Sequence, residues 1–245
     1  MKTLTVSLRK ILFLIILVTV SYSAFANTLG DTVRTKKQKH FAGFHLGFTK
    51  TELSGTEIKL MTSSPDAYQK SKMGLDIGFV YKYEPINWWY LKSGVGIITR
   101  KSYMIESGFT HPLRAELQFF NIPLVFGIQP VNLENSKINL SLETGFAANF
   151  DMGSNDGTSG GLHPDNKVEK ASFIPSFILG GNLEIKASDK VMVFLNYKTM
   201  KDLADYSKRV YSLYDTDTQQ VVEQHYDYRA ASNHLTFGLL FIPNK

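Results

Sequence analysis

From residue 41 onward the chain alternates. Between 73 and 83, Met73, Leu75, Ile77, Phe79, Tyr81 and Tyr83 share one parity, and Gly74, Asp76, Gly78, Val80 and Lys82 share the other. Successive side chains of a β-strand point to opposite faces, so this segment reads as a strand with one bulky apolar face and one small or charged face. Residues 138–150 repeat the pattern, with Ile138, Leu140, Leu142, Thr144, Phe146, Ala148 and Phe150 set against Asn139, Ser141, Glu143, Gly145, Ala147 and Asn149. The same alternation predicts eight strands, near 41–52, 72–83, 88–100, 114–128, 138–150, 171–186, 190–200 and 229–242. Their connections alternate in length. The links at 84–87, 130–137 and 187–189 are short, and those at 53–71, 101–113, 151–170 and 201–228 are long.

Most of these strands reach the roughly 9–11 residues that a tilted strand needs to cross a hydrocarbon core. Short turns at one end and long loops at the other are the habit of transmembrane barrels, with the short turns periplasmic. Period two alone is shared with soluble barrels of the lipocalin kind. The character of the two faces separates the cases. The polar parity is rich in glycine (Gly43, Gly47, Gly74, Gly78, Gly94, Gly96, Gly145, Gly180, Gly238) with sparse charges, and the apolar parity is bulky and aromatic. A narrow barrel has little interior room, so small residues belong inside. The expected fold is all-β, an eight-stranded antiparallel up-and-down transmembrane β-barrel over 41–245, with both ends on the short-turn, periplasmic side. Tyr81, Tyr83, Trp88, Trp89 and Tyr90 flank the first short turn and are expected to form an aromatic girdle at a water–lipid interface.

The start of the chain carries a different signal. Lys2, Arg9 and Lys10 precede an apolar run over 11–20, and Ser23-Ala24-Phe25-Ala26 gives a small-x-small cleavage pattern. The expectation is a secretory signal over 1–26 cut after Ala26, then a periplasmic segment over 27–40. This changes the charge picture. Three of the 27 basic residues and none of the 22 acidic ones lie in the signal, leaving 24 against 22, a formal +2. That excess does not point to nucleic acid. The chain has no cysteine, which excludes disulfides, thiolate-bound zinc, thiol catalysis and an N-terminal lipid anchor on cysteine.

The fourth strand carries a family resemblance. Phe119-Phe120-Asn121-Ile122-Pro123-Leu124-Val125-Phe126 resembles the aromatic-x-x-Ile-Pro-Leu strand of the outer-membrane β-barrel domain family common in Bacteroidetes, which includes the PorT-like proteins and small barrels of the porin family. Phe44-His45-Leu46-Gly47, 90–96 and the ending 234–241 resemble its first, third and closing strands. The resemblance implies an eight-stranded outer-membrane barrel and carries no catalytic residues. A proline inside a spanning strand implies a bulge or a local break in pairing. The chain ends Ile242-Pro243-Asn244-Lys245, so Phe241 is the nearest match to the terminal aromatic of proteobacterial barrels.

Candidate chemistry follows from the polar parity. His45, Asp76, Lys92, Arg100, Glu143, Glu184 and His234 are expected to form a polar network in the lumen, with Lys82, Lys186 and Lys198 on the same face. Buried charges must pair, so the network reads as an ion-pair plug rather than a conducting path. His45 and His234 lie on strands that should meet at closure and are expected to hydrogen-bond, without a metal. No cofactor and no catalysis are expected. His163, Asp165 and Asp156 in the third long loop, and His225 with Asp227 in the fourth, are loop groupings an enzyme could draw on, of a kind polar loops contain by chance. Residues 210–214 and 221–226 around 215–218 read as a hairpin extending the last two strands beyond the membrane. Tyr206, Tyr211, Tyr214, Tyr226 and Tyr228 are its candidate binding surface. The expected role is structural or surface interaction through long loops. A PorT-like accessory part in secretion and a narrow channel are the alternatives. The expected partners are outer-membrane lipid, the outer-membrane assembly machinery and an unidentified envelope or extracellular partner.

Overall fold

The structure, a computed structural model, describes residues 39–55, 68–86, 88–105, 113–131, 137–153, 167–215 and 220–242. The expected signal, its cleavage at Ala26 and most of the periplasmic segment lie outside the described residues. The strands are β1 (Lys39–Ser54), β2 (Tyr68–Ile86), β3 (Trp89–Ile105), β4 (Leu113–Val131), β5 (Ile138–Asp151), β6 (Lys167–Lys170), β7 (Phe173–Lys186), β8 (Val191–Asp202), β9 (Ser207–Asp215) and β10 (Gln220–Phe241). Eight of them, all but β6 and β9, pair antiparallel in the order β1-β2-β3-β4-β5-β7-β8-β10, and β10 returns to β1. The chain is therefore a closed eight-stranded antiparallel barrel with no free edge in its wall.

The stagger of the wall can be followed residue by residue. Ala42 sits opposite Tyr81, then Ser93, Leu124, Phe146, Phe177, Lys201 and Ala231 follow in turn, and Ala231 faces Glu52, ten residues beyond Ala42 on the same strand. Such a stagger goes with strongly tilted strands, and eight strands leave an interior only wide enough for side chains. Alternation runs along the wall strands, broken on β2 between Lys72 and Met73. On β5 the outward Ile138, Leu140, Leu142 and Phe146 are 53–67% exposed, while the inward Ser141, Glu143 and Asn149 are at most 2% exposed.

Most wall strands are longer than the sequence pattern indicates, although β7 starts two residues later than expected, and three of the irregularities have local causes. Pro123 pairs with Ala147 of β5 but interrupts pairing with β3, where bonding stops at Ser93–Leu124 and resumes at Gly96–Asn121 in the same register. The missing N–H breaks the ladder without a bulge, and Ser93 Oγ donates to the Pro123 carbonyl at 2.8 Å. On β2 the register against β3 shifts between Lys72 and Asp76, a bulge that turns both Lys72 and Met73 outward. At the far end of β10, residues 220–228 leave the wall and pair with β9, whose other edge carries β6. The expected hairpin is thus a three-stranded ribbon. Only the eighth wall strand runs on into it, because β8 stops at Asp202, where the Leu203 amide turns to the Pro175 carbonyl.

Candidate functional site

The inward side chains fall into layers. At the short-turn end Phe41, Val80, Met192, Phe194 and Leu240 form an apolar plug. At the long-loop end Leu53, Leu117, Phe119, Ile174, Tyr206, Tyr228 and Ala230 form another. Between and around them lie charges taken from β2, β3, β5, β7 and β8, with His45 from β1, His234 from β10, and Asn121 and Gln129 from β4.

Four ion-paired clusters account for these charges. Lys82 gives two hydrogen bonds to Glu184, at 2.8 and 2.7 Å, lies 3.4 Å from Glu84, and sits 4.1 Å above the centre of the Tyr90 ring. Glu143 accepts from Lys92, from the Tyr90 hydroxyl at 2.5 Å and from Asn196 at 2.7 Å. Arg100 is bonded through Nη1 to both oxygens of Asp202, at 2.8 and 2.9 Å, and Asp202 also accepts from Ser176 Oγ at 2.6 Å. Asp76 accepts from His45 Nε2 at 2.8 Å and from His234 Nδ1 at 2.7 Å, with Lys198 at 3.2 Å. Five carboxylates therefore meet four cations and two histidines. Unpaired charge in such a space would cost several kcal/mol, on the order of 3–5 for a broken pair, and here each carboxylate has a cation or a histidine against it.

All seven residues expected in the lumen, His45, Asp76, Lys92, Arg100, Glu143, Glu184 and His234, point inward. His45 and His234 do not bond to each other; both bond to Asp76, which stands between them. Lys186 lies at the rim, where it is exposed and pairs with Asp189 at 2.6 Å; that hydrogen bond holds the Asp189 carboxyl below its ordinary value. Asp202, Glu84, Tyr90, Asn121, Asn149, Ser176 and Asn196 belong to the network and were not among the expected residues. Parity would have placed Asp202 inside, had the seventh strand been carried two residues past Met200.

Two expectations are corrected. Tyr90 is not part of an aromatic girdle. It is fully buried inside the barrel, because Gly127 lies directly opposite on β4 and leaves the slot that its ring fills. A Cβ at Gly127 would come within 2.1 Å of the ring. Tyr81, Tyr83, Trp88 and Trp89 do stay on the outer side, with Tyr81 bonded to His40 at 2.6 Å and Trp89 against Phe126 at 5.6 Å. Tyr206 and Tyr228 are not an exposed binding surface either. They are 0% and 2% exposed and close the upper apolar plug, where Tyr206 meets Phe119 edge-on at 5.8 Å. The side chains of Tyr211, Tyr214, Tyr226 and His225 lie outside the described ones, as do Asp156, His163 and Asp165.

One constellation resembles catalytic geometry. Ser232 Oγ lies 2.8 Å from His234 Nε2, and His234 Nδ1 faces Asp76, the hydrogen-bond order of a serine-hydrolase triad. Ser232, His234 and Asp76 are each at most 1% exposed. A nucleophile needs a substrate atom within reach, and this hydroxyl is enclosed by packed side chains. The chain Ser232–His234–Asp76–His45 is a structural brace linking β10, β2 and β1 across the closing seam. Among the described residues no three His, Asp or Glu side chains converge on a metal-binding arrangement.

No family model matches the chain, and no curated protein is detectably similar to it in sequence. The fold has solved counterparts. The outer membrane protein OprG from Pseudomonas aeruginosa superposes with a TM-score of 0.55 at 11% identity, covering 85% of this chain and 99% of its own. The outer membrane protease OmpT from Escherichia coli (TM-score 0.46, 9% identity, 86% of this chain and 99% of its own) and Neisserial surface protein A (0.45, 11%, 84% and 99%) superpose more loosely. At such identity the first similarity concerns the fold, a small closed barrel, and the other two bear no argument.

Proposed function

We propose that this chain is a bacterial outer-membrane barrel that works by holding its long-loop end, including the β6–β9–β10 ribbon, at the cell surface as a structural or interaction element. The observation that carries this reading is the inverted polarity of the barrel. Phe44, Leu75, Phe79, Leu142, Phe146, Leu179, Leu195 and Phe237, each 45–67% exposed, face outward from every wall strand but two, while Lys82 and Arg100 are wholly buried. In water such a surface would be a very large exposed apolar patch. Around a closed barrel it is the lipid-contact band, and closure satisfies the backbone groups that a bilayer cannot hydrate. Tyr81, Tyr83, Trp88 and Trp89 then mark the interface at the short-turn end.

On this reading residues 1–26 export the chain and are removed after Ala26, the assembly machinery of the outer membrane inserts the barrel, and both ends remain periplasmic. The layered interior, closed by an apolar plug at either end, disfavours the narrow channel. The PorT-like part in secretion rests on the family resemblance of the strands alone; unchanged secretion of cargo after deletion of the gene would remove it. Two measurements test the main reading. The folded protein should migrate anomalously on a gel until boiled, which a soluble domain does not do. Because the native chain lacks cysteine, Thr218→Cys and Ser188→Cys each give a single thiol. An impermeant maleimide should label the first in intact cells and the second only after the envelope is opened. The reverse pattern would invert the topology, and loss of both anomalous migration and membrane fractionation would end the membrane reading.

A further inference from the structure

The outward apolar band is not equally tall all round the barrel. On β7 every outward side chain from Ile185 to Phe173 is apolar, with Leu183, Leu179, Phe177 and Pro175 between them. At the upper end of the neighbouring β5, Phe150 is outward and apolar, and Met152 just beyond it is 51% exposed. On β10 the outward run is Phe241, Leu239, Phe237 and Leu235, and then Asn233 interrupts it. On β8 the run from Val191 to Tyr197 gives way to the exposed Thr199 and Lys201, and on β1 the run ends at Phe48, below the exposed Lys50. Thr199, Asn233 and Lys50 lie in one register row, and followed onto β7 that row reaches Leu179, midway along its strand. Thr199 Oγ1 donates to Asn233 Oδ1 at 2.8 Å on this outer face.

Strand tilt turns these runs into heights. In so strongly staggered a barrel each residue advances roughly 2.4 Å along the axis. The apolar run of β7 then covers roughly 29 Å and that of β10 roughly 14 Å, against an apolar band of about 25 Å in outer-membrane barrels. Asn233 itself stands roughly 19 Å above Phe241, inside that band. Lysines so placed reach upward to the headgroups on their long stems, but a threonine and an asparagine are too short to do so. Leu203, exposed above Lys201, follows the end of β8 and sits beside β7, with its amide on the Pro175 carbonyl. Tilting the whole barrel does not remove the mismatch. A tilt lifts both edges of the band on one side, whereas here the lower edge is level: Val191 and Phe241 stand opposite each other, and Ile185 lies opposite Val193.

We propose that the barrel thins the bilayer along its β8–β10–β1 flank, so that headgroups on the long-loop side come down to the Thr199–Asn233 pair while β5 and β7 meet lipid of full thickness. This flank holds the closing seam between β10 and β1. The lipids that fit it have short or disordered acyl chains. A bilayer yields to a short apolar wall at a modest cost per ångström of mismatch, whereas the two short polar side chains have no other way to reach water. The inference rests on the membrane reading above.

The test compares depth at two outward positions of nearly equal height. The chain has no cysteine, so Leu235→Cys and Leu179→Cys each carry a single nitroxide. Leu235 is in one row with Tyr197 and Gly181, and the climb of that row over two strands roughly equals the step from Gly181 up to Leu179. Each labelled barrel is folded into dioleoyl phosphatidylcholine vesicles at high lipid-to-protein ratio. Depth is read from line broadening by oxygen and by a water-soluble nickel chelate. The label at 235 should lie several ångströms nearer the headgroups than the label at 179. The gap should narrow in dilauroyl phosphatidylcholine, whose bilayer is already thin. It should vanish when Thr199→Val, Asn233→Leu and Lys201→Leu are combined; the chain-length comparison decides the matter if that variant does not fold. Equal depths in the dioleoyl lipid, a gap unchanged by the shorter lipid or by the folded triple variant, or dipolar broadening at 235 from a second copy on this flank would overturn the proposal. Heat-modifiable migration is read on every sample. Labels that both meet water in a folded protein refute the membrane reading and this inference together, whereas two equally deep labels refute this inference alone.

Discussion

Tyr90 shows how a single position is decided by its neighbour across the strand pair. Trp88, Trp89 and Tyr90 form one aromatic run, and composition alone would send all three to the same surface. Alternation turns Trp89 out and Tyr90 in, and Gly127 opposite provides the space. The ring then meets Lys82 on one side and gives its hydroxyl to Glu143. Filling the slot should be costly: Gly127→Ala should destabilise the barrel by about 1–3 kcal/mol, the usual range for overpacking. In a Tyr90→Leu background that cost should shrink, because the clash is with ring atoms that leucine lacks; urea unfolding of the four proteins from detergent micelles measures the coupling, and equal costs in both backgrounds would refute the slot. The Arg100–Asp202 pair supports a second prediction. Arg100→Met should cost about 3–5 kcal/mol by leaving a buried carboxylate without its cation, and Arg100→Met with Asp202→Leu should recover much of it. A double variant less stable than the single would show that the pair contributes net stability rather than removing a mutual burden. Which polar groups lie inside was legible from parity for His45, Asp76 and Glu143. Which of them touch was not, since Lys82 and Glu184 are 102 residues apart and only the closed wall brings them together.

At the scale of elements, the alternation located all eight wall strands, but it could not show where a strand leaves the wall. Residues 220–241 are one continuous strand, yet they serve two sheets: Arg229 to Phe241 seal the barrel against β1, and Gln220 to Tyr228 build the ribbon. Both halves belong to one unbroken strand, so the boundary is set by partners. The proline in β4 was readable as an interruption, while the bulge in β2 was not, because Lys72 and Met73 carry no turn residue to announce it. The division of β10 leads to a prediction. Replacing residues 208–226 with a short Gly-Ser connection, keeping Tyr206 and Tyr228 in the upper plug, should leave heat-modifiable migration intact and abolish any binding that depends on the ribbon. Failure of the shortened chain to fold would mean that the ribbon helps close the β1–β10 seam.

For the molecule as a whole, the decisive quantity is the solvent that meets the outward band. Leu179 lies midway along β7, 59% exposed, between Thr144 and Thr199 of the adjoining strands. If water met this face, Leu179→Arg would remove an exposed apolar side chain and change stability by less than about 0.5 kcal/mol, as surface substitutions usually do. If lipid meets it, the guanidinium must be carried into hydrocarbon, at a cost of about 2–4 kcal/mol near the bilayer midplane. The same arginine placed at Lys50, exposed at the polar end of β1, should cost little in either case, because Lys50→Arg keeps the charge that position already carries. Folding titrations into lipid vesicles, compared with the Leu179→Arg and Lys50→Arg variants, therefore read the polarity of the surroundings directly. A penalty confined to Leu179 places hydrocarbon against the middle of the wall. The interior makes the complementary demand: with Lys82 and Arg100 sealed between two apolar plugs, ions have no continuous wet route, and planar-bilayer recordings of the wild-type barrel should show no steady conductance. Steady single-channel steps would require the upper plug of Tyr206, Tyr228 and Phe119 to open, and would make that plug a gate rather than a lid.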